Sequence, residues 1–406
     1  MSHTQATSLE GVDLTLGDAG PRIFRAAGLV GLVALGAALA LGFGLGDGLR
    51  RLSFSYLLAF VYFLTLSLGA LFFVALQHIT RSSWSVVVRR LAEITAMNLP
   101  LLGLLAIPVL VAIPNLYGWA RPLDPESHAA HLIAQKRVWL NPAFFALRVA
   151  IYFTLWSLLA RWFWRRSLAQ DTSADPAITV RMEKVSAPGL VVFGLTLTLA
   201  AFDLVMSLDP TWYSTIFGVY FFSGSVVGCF ALLTLLSLGL QRSGRLTGII
   251  STEHYHDLGK LMFAFTFFWA YIAFSQYLLI WYANLPEETT WYLRRQSNGW
   301  DVVGLSLLFC HFIAPFAGLV SRYAKRHRGM LTFWAVWLLI MHGVDLYWLI
   351  MPELGPGAPS LHPLDLLCWL GVGGLWAAGL ARLAGRRPLV PVNDPRLNDS
   401  LRFENA

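Results

Sequence analysis

Ten long apolar runs constrain this chain more than any other feature. They fall at 22–46, 54–76, 95–114, 141–164, 188–208, 214–240, 258–282, 300–320, 330–351 and 362–384. Each matches or exceeds the ~20 residues that a helix needs to cross a bilayer's hydrocarbon layer. Lipid offers no partner to a free N–H or C=O, so a crossing segment must satisfy its own backbone, and the expected fold is an all-α polytopic membrane protein with about ten transmembrane helices. Composition agrees: 56% of the 406 residues are hydrophobic and 13% charged, where ordinary soluble domains carry roughly a quarter charged residues. The runs use up so much of the length that no Rossmann or TIM-barrel catalytic domain fits.

Net charge is +7, from 30 Lys and Arg against 23 Asp and Glu. In such a chain the excess belongs at loop ends facing anionic lipid, which argues against nucleic acid as a partner. With the N-terminus inside, the inward connections hold 17 Lys and Arg, or 21 with Arg22, Arg25, Arg161 and Arg382 at the adjoining ends of the runs, and the outward ones 7, so both termini are expected in the cytoplasm. Residues 115–140 and 283–299 are then the longer outer loops. Glu10, Asp13 and Asp18 precede the first run without an obvious small-residue cleavage site, which favours a retained first span over a signal peptide. Cys229, Cys310 and Cys368 stand singly in apolar runs, with no spacing suited to zinc or an iron–sulfur cluster.

Two short patterns recur four spans apart. Asp203-Leu204 has Pro210 seven positions after the Asp, as Asp345-Leu346 has Pro352, and Leu76-Gln77 matches Leu240-Gln241. An even spacing gives both copies the same orientation, so the expected plan is two four-helix bundles, at 54–208 and 214–351, related by an axis along the membrane normal, plus two peripheral helices. Chance recurrence of short apolar motifs is the alternative.

An ionisable group inside the hydrocarbon layer needs a partner or water. Arg148 and Asp203 fall at similar depths in adjacent spans, the signature of a buried structural ion pair. His311 and His342 lie near the middle of consecutive spans, and Asp345 is three residues beyond His342 and so on the same helix face. Histidine titrates near neutral pH, so this trio suits proton transfer; hydrogen-bonded packing and ligation of a b-type haem are the competing readings. His78, Glu93, Glu253, His254, His256, Asp257 and Lys260 cluster at the inner ends of spans, either as solvated loop residues or as a proton entry. Tyr271, Ser275 and Gln276 rise along the seventh span, where they could carry a water chain. Of the 56 aromatic residues, many sit near span ends, for example Trp212, Tyr213, Trp281, Tyr282, Trp291 and Trp300, as an interfacial belt would. An aromatic-walled crevice with one or two polar groups would suit a quinone.

Three stretches are similar to a known family: FDLVMSLDPTWYSTIFGVYFFS at 202–223, HDLGKLMFAFTFFWAYIAFSQYLLIWYANLPEET at 256–289 and DLYWLIMP at 345–352. They resemble the F-type membrane subunit of alternative complex III, the bacterial quinol:electron-acceptor oxidoreductase, within the wider group of membrane subunits similar to polysulfide reductase's quinone-binding anchor. The resemblance implies two four-helix bundles and a place in the bacterial cytoplasmic membrane. It also implies partners: a homologous quinol-binding membrane subunit, an iron–sulfur subunit and multihaem cytochrome c subunits, with membrane lipid around them. It implies no redox cofactor of the chain's own, contact with quinone or quinol, and a proton route falling on Asp203, His311, His342 and Asp345, with His256 and Asp257 at its inner mouth. A stand-alone secondary transporter and a di-haem cytochrome of b type are the other functional classes; the transporter would show helices broken at matching places in both halves.

Overall fold

Every apolar run folds as helix. In the computed structural model, which describes residues 9–44, 46–47, 49–122, 126 and 128–405, the crossing helices are α1 (Ala19–Gly44), α2 (Arg50–Ile79), α3 (Val86–Val111), α4 (Pro142–Gln170), α5 (Ala177–Leu208), α6 (Phe217–Arg242), α7 (Thr252–Ala283), α8 (Trp300–Val320), α9 (Arg328–Leu354) and α10 (Pro363–Ala384). No strand occurs among the described residues. The protein is an all-α, multi-pass membrane protein. Ten crossings bring both chain ends to one side, termed here the terminal face; the other is the distal face.

The helices outrun the apolar runs where charge is paired. α3 starts at Val86, not 95, and α5 at Ala177, not 188. The first turns of α3 hold Arg89, Arg90 and Glu93, all buried, which hydropathy reads as loop. α3 is also broken, into Val86–Ala96, Leu99–Leu105 and Ile107–Val111. Pro100 and Pro108 open the second and third pieces, since proline removes a helical donor and clashes with the preceding turn.

α2 and α6 form the centre. α2 packs on α3, α5, α6 and α10, and α6 packs on α2, α5, α7 and α9. The sequence of α2 is apolar on all sides, as befits a helix surrounded by protein. Where α2 meets α6, a Cβ on Gly69 would lie 2.3 Å from the Ser225 carbonyl oxygen, so the two backbones touch. α1 stands outside, held chiefly by α10. There, a Cβ on Gly31 would lie 2.7 Å from Leu375 N, and one on Gly374 2.7 Å from Ala27 O, the close backbone approach that small residues permit between membrane helices.

Both terminal segments return across the terminal face. Leu246 N donates to Asp13 O and Leu389 N to Leu14 O. The C-terminal tail crosses four elements: Asp394 bonds Arg89 of α3, Asn393 the backbone of Asp171 after α4, Arg396 Glu183 of α5, and Asn405 Glu253 and Lys260 of α7. On the distal face, Trp212, Trp291 and Trp300 pack inside the protein while Tyr213, Trp281 and Tyr282 are exposed, so the expected aromatic belt is partly a buried joint between loops. Trp212 stacks on Trp291 with ring centres 4.3 Å apart.

Candidate functional site between α6, α7, α8 and α9

The structure brings His311, His342 and Asp345 into one buried region. Asp345 of α9 has no cation beside it among the described residues; its carboxylate accepts from the Tyr220 hydroxyl of α6 and from Trp269 Nε1 of α7, at 3.2 Å. His342, one turn earlier, shares a 2.8 Å hydrogen bond through Nε2 with the Thr65 hydroxyl of α2, and its Nδ1 has no hydrogen-bond partner among the described residues. Two glycines of α6 make room for this ring. A Cβ on Gly224 would lie 3.2 Å from His342 Nδ1 and 3.6 Å from Asp345 Oδ2, and one on Gly228 3.1 Å from His342 Cδ2.

His311 lies in a π-helical stretch, Leu307–Ile313, of α8. Such wide turns release backbone from the regular ladder and recur at functional sites. Its imidazole lies face to face with the Trp269 indole, ring centres 4.0 Å apart and planes 18° apart. Neither ring nitrogen has a hydrogen-bond partner among the described residues. Trp269 therefore joins the trio, one face against His311 and its N–H on Asp345. Three imidazole nitrogens buried without partners call for small polar company such as water.

A crevice of about 820 Å³ opens between α7 and α8 toward the lipid side. Phe267, Phe274, Tyr277, Leu305 and Leu308 line its walls, and Tyr220 and Trp269, the two donors to Asp345, lie at its back. Trp348, one turn beyond Asp345, also lines it, and its buried Nε1 has no acceptor among the described residues. Arg295 closes the distal end. It donates to the carbonyls of Trp291, Trp348 and Leu349 and pairs with Glu353 at 3.2 Å, with its guanidinium 3.4 Å over the Trp291 ring. Burial pulls this guanidinium down to about 10 while the Glu353 carboxylate holds it up, so it remains cationic at neutral pH and ties the end of α9 to the loop.

Asp203 lies elsewhere. Arg148 Nε and Nη2 grip its two oxygens at 2.8 Å each, Tyr152 donates at 2.7 Å and Trp139 Nε1 at 3.0 Å. This is a fully satisfied, bidentate buried ion pair, with Arg148 also stacked over Trp139 at 4.0 Å. Asp203 and Asp345, which share a sequence pattern, thus have opposite company: one has an arginine, the other only neutral donors.

The terminal-face residues also stand apart from the trio. Asp257 pairs with Lys260, which reaches Asn405, and His256 is buried beside them. Asp257 precedes Trp269 by twelve residues, about 18 Å along the helix. Between them, the hydroxyls of Thr234 and Thr266 bond backbone carbonyls of their own helices. His78 is buried against Phe163 with its planes 2° apart, and Glu93 is salt-bridged to Arg89 and Arg90. Along α7, Gln276 is buried and tied to Ser214 and Tyr292, Ser275 bonds its own helix, and Tyr271 is exposed.

Sequence reasoning passed over Tyr220, Trp269, Thr65 and Trp348, which look like ordinary core or interface residues inside apolar runs. The available signal was Asp345 itself: with Arg148, the arginine at matching depth, paired to Asp203, this carboxylate must take its donors from hydroxyls and indoles of neighbouring helices. No protein-family model matches the chain, and no curated protein matches it.

Proposed function

We propose that this chain is an integral subunit of a respiratory quinol:electron-acceptor oxidoreductase of the alternative complex III type, in the bacterial cytoplasmic membrane with both termini inside. In this reading it has no redox centre of its own, its two sets of four helices, at 54–208 and 214–351, frame the complex, and its second half meets a quinone or quinol. The observation that carries the reading is the crevice backed by the Tyr220–Asp345–Trp269 hydrogen bonds. All three stretches that resemble the F-type subunit converge there, through Tyr220, through Trp269 and Tyr277, and through Asp345 and Trp348.

The chemistry fits an apolar ring with oxygen at its ends. The Trp348 N–H is a free donor for a carbonyl oxygen, and Tyr220 links the crevice to a carboxylate that can take up a proton. His342 and His311 extend the region with unpartnered ring nitrogens. His342 Nε2 is committed to Thr65 and one face of His311 to Trp269, which disfavours a haem between them. The secondary-transporter reading would want mid-span breaks at counterpart positions, but those fall in α3 and in the π-helical stretch of α8, which are not four spans apart, while the counterpart 3-10 turns Met206–Leu208 and Met351–Leu354 lie at the distal ends of α5 and α9.

The test is to isolate the chain from its native membrane through an affinity tag. Multihaem cytochrome c and iron–sulfur proteins should copurify, and a photoreactive quinone analogue should label α7 or α8. Recovery of a lone chain that carries solute across vesicles would overturn the proposal.

A further inference from the structure

We propose that the crevice between α7 and α8 takes its occupant with the polar end toward the distal face, a ring carbonyl of a lipid-soluble quinone on the Tyr292 hydroxyl, and that Gln276 is the positioning residue that aims this hydroxyl. The inference rests on the quinone reading above and adds the direction of the ligand and the group that meets its oxygen. α7 runs from the terminal to the distal face and α8 runs back, so the lining residues can be ordered by depth. Phe267 to Tyr277 on α7 covers about 15 Å, and Asp301 to Phe312 on α8 a similar length. The deep end holds Phe267, Leu308 and Phe312, and the distal end holds Tyr292, Arg295, Gln296 and Asp301. Such a gradient orients an amphiphile: its oxygen-bearing ring belongs at the distal end and its apolar chain toward the membrane centre.

Several donors around the crevice are already committed. The Tyr220 hydroxyl and the Trp269 N–H serve Asp345, and the Arg295 guanidinium serves three backbone carbonyls and Glu353. Tyr292 is different. Ser214 Oγ donates to Gln276 Oε1 at 3.0 Å, which leaves Gln276 Nε2 to donate to the Tyr292 oxygen at 3.2 Å. A phenol whose oxygen accepts in this way turns its own proton elsewhere, and that O–H has no acceptor among the described residues. Burial pushes the phenol up, so the proton stays on at neutral pH. Trp291 and Tyr277 meet the ring edge to face, with ring centres 4.9 and 5.2 Å away, and hold it in place. Trp348, its ring centre 6.4 Å from that of Tyr292, adds an N–H that also lacks an acceptor. An unmet donor beside an apolar space is a penalty that an oxygen brought by the ligand relieves. The Gln276 amide has no acidic proton to pass on at neutral pH, so it works by orientation and not as a link in a proton chain.

The experiment uses the full chain in nanodiscs with a short-chain naphthoquinone that carries carbon-13 at its ring carbonyls. Titration gives its affinity, and difference infrared spectroscopy gives its carbonyl stretch. In the parent, one carbonyl band should move to lower frequency on binding. Tyr292→Phe should lose that shift and bind about five- to tenfold more weakly. Gln276→Leu should still bind the probe but with a broader, smaller shift, because a hydroxyl without its amide partner turns among several directions; a merely structural Gln276 would lower Tm and leave the band in place. Should Tyr292→Phe fail to accumulate, Gln276→Leu carries the test through the same band. An undiminished shift in Tyr292→Phe or in Gln276→Leu would overturn the inference and leave the quinone reading standing, whereas a parent that binds no probe would overturn both.

Discussion

The two intramembrane aspartates show how neighbours decide what a buried carboxylate can do. Asp203 is locked by Arg148, so removing one partner leaves an uncompensated charge in a medium that penalises it. Arg148→Ala should cost about 3–5 kcal/mol, read as loss of accumulation or a large fall in Tm, whereas Arg148→Met/Asp203→Leu should recover most of it. Asp345 has only neutral donors among the described residues, and in the proposed function it exchanges a proton with a ligand or water. On that proposal, Asp345→Asn should leave the chain in the membrane but cut quinol-driven proton release about 100-fold or more, the scale of one general acid–base contribution. Unchanged release with intact assembly would assign Asp345 a packing role. Tyr220→Phe removes one of the two donors to the buried Asp345 carboxyl and should cost about 1–3 kcal/mol, measurable by thermal unfolding in detergent. The sequence alone exposed the ionisable members of both groups, because a charge in an apolar run stands out. It hid Tyr220, Trp269 and Thr65, because a hydroxyl or indole in such a run is compatible with plain packing, and only the fold shows which carboxylate or imidazole it meets.

Helix existence was legible throughout, since runs of this length have one stable form in lipid. Helix ends were not. Hydropathy stops where Arg89, Arg90 and Glu93 begin, yet these residues pair with one another and with the tail and remain helical and buried. The π-helical stretch of α8 left no trace in the pattern either, because LLFCHFI reads as plain apolar sequence. Glycines separate helix contacts that tolerate a side chain from those that do not. Gly69→Ala would drive a methyl group into the Ser225 backbone and should force α2 from α6, with a fall in stability of several kcal/mol in line with overpacked cores. Gly36→Ala, with nothing within 4 Å, should be neutral in the same unfolding assay. Gly374→Ala should loosen α1 from α10 and raise the proteolytic sensitivity of the N-terminal segment while the His342–Thr65 region stays intact.

Across the whole molecule, the terminal face is stitched by groups that are far apart in sequence. The tail joins α3, the end of α4, α5 and α7, so removing residues 393–405 should strip Arg89 of Asp394 and Glu183 of Arg396 at once. That truncation should lower Tm more than removal of residues 9–13, which are tied by the Leu246 N to Asp13 O bond and a loose Arg245–Asp13 ion pair at 3.9 Å. An unchanged Tm would show the tail to be an ornament of the fold. The long reach also sets a timetable for synthesis. Arg89 and Asp394 are 305 residues apart, and at roughly 5–20 residues per second a ribosome needs on the order of 15–60 s to deliver the acid after the base. During that interval Arg89 has the Glu93 carboxylate that it shares with Arg90, one acid between two bases, so the bundle cannot complete its underside until the tail has been made.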